Sequence, residues 1–259
     1  MPVRNLKQAL REGTVLVGTW VNTPTPSEVE IIGYAGFDFV MLDTEHSSYG
    51  IEAGEGLIRA ADAAGIPALM RVAENKPSAI GKALDYGAQG IVVPHIGTAE
   101  EARQAVRGAR FAPAGVRGAA PSVRATRYGQ VPWADYLAQA QAETLIVLQI
   151  EGKEGIENLD EIMAVDGIDV LFIGPFDLSE SLGISGQLDH PLLLETVGNI
   201  VRRAQKKGIK LGIWMPKPEQ VGPWIAQGVQ VVTVANSDMI FFEGCRTIVN
   251  KVRGQIGAS

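Results

Sequence analysis

The sequence has little cysteine and no long apolar run, and each shortage excludes a class of protein. Its 259 residues include a single cysteine, Cys245, so an intramolecular disulfide and a cysteine-based zinc cage are both excluded. No segment approaches the roughly 18 consecutive apolar residues that cross a bilayer, so we expect no membrane association. The polar start MPVRNLKQALREG lacks the apolar centre of a signal peptide, and a lone cysteine suits a reducing compartment. We therefore expect a cytoplasmic protein.

The sequence also has little positive charge, no dinucleotide-binding turn and no well-placed Schiff-base lysine. The chain has 23 lysines and arginines against 29 aspartates and glutamates, a net charge of −6, which argues against a nucleic-acid partner. No strand-like run ends in the G-x-G-x-x-G turn of a dinucleotide site. Lys210 starts a strand-like run, at the wrong end for catalysis, and Lys153 lies in a glycine-flanked helix start. A Schiff-base aldolase, which needs a desolvated lysine in the barrel, is therefore disfavoured.

The sequence does contain eight strand-like apolar runs, each followed by a helical segment. The runs are residues 15–21, 37–42, 67–72, 90–96, 144–150, 169–174, 210–215 and 229–235. The helical segments begin at Pro26 or cover 51–64, 76–86, 98–110, about 155–164, 191–207, 218–227 and about 237–253. Eight such pairs predict a (β/α)₈ TIM barrel, and the alternative is an open doubly wound sheet. We expect residues 1–259 to form a single barrel domain, with a long and functional loop insertion at 110–143.

The residues that end the strand-like runs are the candidates for an active site, because a barrel of this kind carries its site at the C-terminal face. The following residues occupy these ends: Trp20, Asn22, Asp43, Glu45, His46, Arg71, Pro94, His95, Gln149, Glu151, Gly174, Pro175, Asp177, Trp214 and Asn236.

Two of these residues, Glu151 and Asp177, follow neighbouring strands and should face the same pocket. Unpaired carboxylates at close range raise one another's pKa, and a cation between them would resolve the conflict. Oxygen ligands favour Mg²⁺ or Mn²⁺. Alternatively, each carboxylate caps a helix or pairs with an arginine, and the spacing alone leaves both interpretations open.

His46, Asp43 and Arg71 could carry proton transfer and substrate binding. An imidazole held by Asp43 is a workable acid–base group near neutral pH, although His46 could equally be a structural loop histidine. Arg71 requires an anion, either a protein carboxylate or an oxygen of the substrate. Trp20 and Trp214 could line the pocket or simply pack.

The remaining histidines and the arginines of the insertion carry less information. His95 could line the mouth of the barrel, and His190 is expected to start a helix. Arg117, Arg124 and Arg127 are expected to face solvent, with binding of a substrate anion as the minority alternative.

Several long blocks of sequence carry a resemblance to a known family. The blocks are GTWVNTPTP, FDFVMLDTEH, LMRVAENKPSAIGKALDYGAQGIVVPHIGTAEEAR, APAGVRGAA, VLQIEGKEGIENLDEI and DVLFIGPFDLSESLG. In these blocks the chain resembles the metal-dependent (class II) pyruvate aldolases of the 4-hydroxy-2-oxoheptanedioate and 2-keto-3-deoxyglucarate aldolase family, within the phosphoenolpyruvate/pyruvate barrel superfamily. The resemblance implies a (β/α)₈ barrel whose last helix packs on a neighbouring subunit, assembled as a homo-trimer or homo-hexamer.

The resemblance also assigns roles to individual residues. It implies that Glu151 and Asp177 bind Mg²⁺, Mn²⁺ or Co²⁺, and that Arg71 binds the carboxylate or enolate oxygen of pyruvate. It places the following residues around these three: Gln149, with the backbone of Gly174 and Pro175, beside pyruvate; His46 and Asp43 as an acid–base pair; Glu45 beside the metal-bound waters; and Asp85 near the site across a subunit contact.

The implied reaction is the reversible aldol cleavage of a 4-hydroxy-2-oxo acid to pyruvate and an aldehyde, through a metal-stabilised pyruvate enolate. Such a carbon–carbon lyase would serve aromatic or sugar acid catabolism. The alternatives are a CoA-thioester lyase of the citramalyl- or malyl-CoA type, an oxaloacetate-decarboxylating enzyme that forms C–C bonds, and a barrel kept for binding. Two segments, SSYG after His46 and VANSDMIFFEG after the eighth run, depart from the family pattern and affect the aldehyde partner.

Overall fold

The apolar runs of the sequence form a closed barrel of parallel strands. The computed structural model describes residues 5–256, and within them eight strands pair in chain order, with β8 closing on β1. The strands are β1 (Leu16–Val21), β2 (Phe39–Asp43), β3 (Ala68–Arg71), β4 (Gly90–Val93), β5 (Leu145–Ile150), β6 (Val170–Ile173), β7 (Lys210–Met215) and β8 (Val231–Asn236). Near-continuous apolar strands are expected where a parallel sheet is covered on both faces. The predicted TIM barrel is confirmed.

Helices surround the barrel. Those of the described residues are α1 (Leu6–Arg11), α2 (Pro26–Tyr34), α3 (Ile51–Ala64), α4 (Pro77–Asp85), α5 (Ala99–Ala109), α6 (Trp133–Glu143), α7 (Lys153–Glu157), α8 (Leu159–Ile162), α9 (Pro175–Ser181), α10 (Pro191–Lys206), α11 (Gly222–Ala226) and α12 (Ser237–Ile256). Within the same residues, no helix is long and apolar enough to cross a membrane.

Three helical segments differ from the sequence-based expectation. The segment near 155–164 is two short helices that meet at Asn158, and 218–227 is a 3₁₀ turn followed by α11. Helix α9 was not predicted at all. It begins at Pro175, whose fixed φ suits the first position of a helix, directly after the end of β6.

The insertion at 110–143 is not a loop over its whole length, and part of it packs against the barrel. Its last third is α6, which leads directly into β5. Arg117 is buried, so the expectation of a solvent-facing side chain is wrong. Its guanidinium lies 2.7 Å from Asp85 and 2.8 Å from the hydroxyl of Tyr136, and it stacks 4.5 Å from the centre of the Phe111 ring. Asp85 is thus engaged within its own chain, and its role across a subunit contact stays a proposal.

The N-terminal end of the barrel is closed by α1. The apolar residues Leu6 and Leu10 pack with the residues that fill the barrel interior, including Phe39 and Phe172. An ion pair of 2.8 Å between Lys7 and Asp169 ties α1 to the start of β6. Because one end of the barrel is closed, a substrate has access from the C-terminal face, where the polar strand ends lie.

Candidate active site

A cavity of about 330 Å³ opens at the C-terminal ends of the strands. Its lining comprises Trp20, Asp43, His46, Arg71, Gln149, Gly174, Pro175, Phe176, Asp177, Trp214 and Asn236. Ten of these residues were predicted from the strand ends. Phe176 was missed, although it directly follows Pro175 in the block IGPFD. The barrel therefore brings most of the predicted candidates together in one cavity.

Arg71 and Asp43 form a buried ion pair at the base of this cavity. The two residues are register neighbours on β3 and β2, so their side chains emerge side by side. Arg71 Nε lies 2.8 Å from Asp43 Oδ1, and Nη2 lies 2.6 Å from Oδ2. Arg71 Nη1 also lies 3.1 Å from Glu45 Oε2, and the guanidinium stacks 4.4 Å from the Trp20 ring centre. The fork-like guanidinium is thus fixed by two carboxylates and an aromatic face.

The pair perturbs both pKa values. Burial alone would raise the pKa of Asp43, but the hydrogen bonds and charge of Arg71, with the N–H groups of Glu45 and His46, lower it below its ordinary value. Burial would lower the pKa of Arg71, and Asp43 and Glu45 reverse that effect and raise it. Both side chains are therefore charged at neutral pH.

His46 is held at its backbone rather than at its ring. Asp43 Oδ1 accepts a hydrogen bond of 3.3 Å from the backbone N–H of His46 and one of 3.0 Å from that of Glu45. The expected contact between the imidazole and Asp43 is replaced, because Arg71 occupies both carboxylate oxygens. The half-exposed His46 ring instead lies 3.8 Å from Glu45 Oε2. It lines the cavity, where it can reach a substrate.

His95 bridges two carboxylates, a role that the sequence did not reveal. Its ring Nε2 lies 2.9 Å from Glu45 Oε1, and its ring Nδ1 lies 3.0 Å from Glu151 Oε1. Its φ is +54°, a left-handed conformation that is uncommon outside glycine. The hydrogen bond with Glu151 raises the pKa of His95 to about 9, against the lowering effect of its partial burial and with help from Glu45.

Burial is the main influence on the pKa values of Glu45 and Asp177. Burial raises the pKa of Glu45, although Arg71, His46 and His95 partly oppose this. Burial likewise raises the pKa of Asp177, and the negative charge of Glu151 raises it further. The mutual effect expected of two carboxylates at one pocket is therefore present at Asp177.

The two carboxylate oxygens of Glu151 differ in their hydrogen bonding. Its Oε1 accepts a hydrogen bond of 2.8 Å from the backbone N–H of His95. Its Oε2 is buried and has no hydrogen-bond partner among residues 5–256. Gly174 lies against Oε2, and a Cβ at that position would come within 2.5 Å of it. A buried carboxylate oxygen without a partner carries a large desolvation cost, which a cation would offset.

The donor set fits a hard divalent cation. Glu151 and Asp177 carry carboxylate oxygens, the ligand type such a cation prefers, and two protein ligands would leave coordination positions for water and substrate. Among residues 5–256, no group of three or more His, Cys, Asp or Glu side chains is arranged to hold a metal. A cation here would therefore depend on two protein carboxylates.

The remaining lining residues shape the cavity wall. The indole N–H of Trp20 donates a hydrogen bond of 2.9 Å to the hydroxyl of Thr233, and that of Trp214 donates one of 3.1 Å to Asn236 Oδ1. The Gln149 side-chain oxygen is buried without a partner among the described residues, beside Gly174. The two indoles are anchored, and Gln149 retains hydrogen-bonding capacity for a bound molecule.

Comparison with known proteins agrees with this geometry. Residues 16–243 match the family described as HpcH/HpaI aldolase/citrate lyase. The chain is 37% identical over 235 residues to a hydroxypyruvate/pyruvate aldolase of Roseobacter denitrificans, covering 90% of this chain and 91% of that protein. It is 35% identical over 235 residues to a 5-keto-4-deoxy-D-glucarate aldolase of Escherichia coli, covering 91% of each.

The fold gives the same result. The crystal structure of an HpcH/HpaI aldolase from Desulfitobacterium hafniense superposes with a TM-score of 0.90 at 31% sequence identity, covering 96% of each chain. The resemblance found in the sequence blocks is thereby confirmed. The chain belongs to the HpcH/HpaI aldolase/citrate lyase family and is an aldolase, a carbon–carbon lyase.

Proposed function

We propose that this aldolase is divalent-metal-dependent and reversibly cleaves a 4-hydroxy-2-oxo acid into pyruvate and an aldehyde. The observation that carries the proposal is the layout of one cavity. A fixed guanidinium, Arg71, and a carboxylate, Asp177, line the same cavity, and Glu151 lies against its wall at Gly174. A 2-oxo acid needs such a combination, because it presents a carboxylate and a carbonyl oxygen that becomes negative during cleavage.

Arg71 retains donors for substrate. A guanidinium has five N–H donors, and the hydrogen bonds with Asp43 use one on Nε and one on Nη2. Nη1 lies 3.1 Å from Glu45 Oε2 without a hydrogen bond, so N–H groups remain for an oxygen of pyruvate or of its enolate. Gln149 and the backbone of Gly174 and Pro175 would hold the remaining pyruvate oxygens.

Glu151 and Asp177 are the residues that would hold Mg²⁺, Mn²⁺ or Co²⁺. When bound, such a cation supplies a Lewis-acid charge that stabilises the enolate. The protein's own contribution is to place both carboxylates at the cavity, Asp177 in its lining and Glu151 against Gly174. It also keeps Arg71 charged in the same cavity.

His46 would move the proton of the aldehyde half-reaction. Its half-exposed ring lines the cavity and lies near Glu45, so it can take a proton from the 4-hydroxyl group during cleavage and return it during condensation. Asp43 would support this through the backbone N–H of His46 and through Arg71. It would not do so through the imidazole itself.

We also propose that the chain assembles as a homo-trimer or homo-hexamer through α12. Ser237 is the only residue of this helix that is buried among residues 5–256, and its side chains include the exposed Phe241, at 74% exposure, and Phe242. A helix with several exposed large apolar side chains is typical of an interface. Asp85 would then reach a neighbouring site, and we expect the enzyme to act in the cytosol.

Among the alternatives, an enzyme that decarboxylates oxaloacetate to begin a different C–C bond would use the same enolate half-site. A CoA-thioester lyase is less well supported. Among the described residues that line the cavity, Arg71 is the only Lys or Arg, and nucleotide phosphates would require more positive charge.

The test is removal of the metal. Dialysis against EDTA should abolish oxaloacetate decarboxylation and retro-aldol cleavage, and Mn²⁺, Mg²⁺ or Co²⁺ should restore both. Full activity after stripping would refute metal dependence. Condensation of pyruvate with succinic semialdehyde, tartronate semialdehyde, lactaldehyde and glyceraldehyde would then identify the aldehyde class.

A further inference from the structure

His95 is placed to control how Glu151 presents its carboxylate. We infer that His95 is a positioning residue that saturates one oxygen of Glu151, Oε1, so that Glu151 offers a metal ion only its other oxygen, Oε2. This inference rests on the proposed metal site and adds a residue to it.

The contacts on Oε1 come from two directions. The backbone N–H of His95 donates from 2.8 Å, and ring Nδ1 lies 3.0 Å from the same oxygen. Ring Nε2 lies 2.9 Å from Glu45 Oε1, so the ring is fixed at both of its nitrogens. An oxygen that accepts one hydrogen bond and has a second nitrogen at 3.0 Å has little room left for a cation.

The backbone of His95 is in a left-handed conformation, with φ of +54°. Its N–H donates to Glu151, which directly follows the end of β5. For a residue that is not glycine, this conformation is strained, and the surrounding contacts must offset the strain. Strain of this kind is concentrated at functional sites.

Space around the other oxygen is kept clear. Oε2 has no hydrogen-bond partner among the described residues, and Gly174 faces it. A Cβ on Gly174 would approach Oε2 to 2.5 Å, although the backbone of Gly174, at φ −94°, would tolerate alanine. The glycine is therefore required for space rather than for its backbone conformation.

A matched pair of glycine variants tests the free oxygen. Gly174→Ala should weaken Mn²⁺ binding by about 10-fold or more, because the new methyl group occupies the approach to Oε2. Gly152→Ala is the control: Gly152 is also a helix-start residue, at φ −127°, and its Cβ would meet nothing within 4 Å among residues 5–256. The readout is the electron paramagnetic resonance signal of free Mn²⁺ titrated with substrate-free protein. Equal affinity in both variants would refute an open Oε2.

His95 is tested by removal of its ring. His95→Ala should weaken Mn²⁺ binding by roughly 10- to 100-fold, the usual effect of losing a group that orients a ligand. His95→Gly removes the same ring and also relieves the left-handed strain. Because the ring is lost, its Mn²⁺ binding should be weakened as well. His190→Ala is the control for loss of a remote histidine, and thermal unfolding verifies that each variant folds. Full affinity in His95→Gly would refute the role of the ring.

Failure of this inference is distinguishable from failure of the proposed function. If the natural protein binds Mn²⁺ but the His95 and Gly174 variants bind it equally well, only the inference is refuted. If the natural protein does not bind Mn²⁺ and decarboxylates oxaloacetate after EDTA treatment, the metal-dependent function itself is refuted.

Discussion

Replacement of Asp43 by asparagine tests whether the buried Arg71–Asp43 pair stabilises the mouth of the barrel. Asparagine has nearly the same shape but no charge, and it cannot accept from Arg71 through both of its terminal atoms. Breaking one side of a buried ion pair typically costs about 3–5 kcal/mol, because the partner is left buried and uncompensated. Glu45 still lies 3.1 Å from Arg71, so we expect a loss near the lower limit, about 3 kcal/mol.

This loss should depend on pH in a defined direction. The pKa of Asp43 is below its ordinary value of 3.8 in the folded protein, so its contribution is fully present above that value. The contribution disappears as the pH falls through the lower, folded-state pKa. The gap in free energy of unfolding between the natural protein and Asp43→Asn should therefore be constant from pH 7 to about 5 and shrink below about 4.

Urea denaturation followed by circular dichroism measures this gap. A loss of about 3 kcal/mol corresponds to a melting temperature lower by roughly 6–12 °C in a chain of this size. Glu100→Gln, which removes one partner of an exposed ion pair with Arg103, should leave the unfolding curve unchanged. Equal stability of Asp43→Asn and the natural protein at pH 7 would show that the pair is not stabilising. A gap that persists unchanged at low pH would show that the charge of Asp43 is not its source.

Three further predictions concern the site, the barrel and the interface. Arg71→Lys cannot form the two-pronged contact with a carboxylate, so oxaloacetate decarboxylation should fall by about 10²- to 10³-fold, and retention of near-natural turnover would contradict the role of the guanidinium. Gly90→Ala should lower the free energy of unfolding by about 1–3 kcal/mol, because a Cβ there overlaps the backbone of β5. Gly56→Ala, on the exposed face of α3 with open space around it, should raise that free energy by about 0.5–1 kcal/mol, and urea titration of the two variants checks both signs. Phe241→Asp should sediment as a smaller species than the natural protein, whereas Val116→Asp, on the exposed surface of the insertion, should not; identical sedimentation of the first variant would rule out α12 as the interface.

Much of the fold could be predicted because the local signals and the tertiary structure agree. Strand β7 (Lys210–Met215) and helix α3 (Ile51–Ala64) have the predicted bounds. Helix α3 is followed by Gly65 in the left-handed conformation, which is the usual residue to end a helix. Helix α9 was missed because its proline and phenylalanine directly continue the apolar run of β6, so neither a polar break nor a helical period marks the boundary.

The sequence predicted which residues lie at the site, but not which of their side chains contact one another. Position at a strand end selected ten of the eleven residues that line the cavity, since the topology brings these ends together. The contact of Asp43 with Arg71 rather than with the His46 ring depends on the register of β2 against β3, which pairs residues 28 positions apart. His95 gave no signal beyond its strand-end position, because its contacts depend on which two carboxylates the fold brings to the ring.

The charged groups of the site are of two kinds: those that are paired within the protein, and those whose surroundings change when a ligand binds. Arg71 neutralises Asp43 and contacts Glu45 at hydrogen-bonding distances, and this arrangement does not depend on any bound molecule. For Asp177 the balance goes the other way: burial and the negative charge of Glu151 raise its pKa, against the opposing effects of His46, His95 and Arg71. A catalyst that must release its product benefits from this division, because the guanidinium keeps the cavity in shape while charge near Asp177 changes with each ligand. The raised pKa of Asp177 beside Glu151, in a cavity where Arg71 is already paired with Asp43, is therefore the feature of the structure that most favours metal dependence.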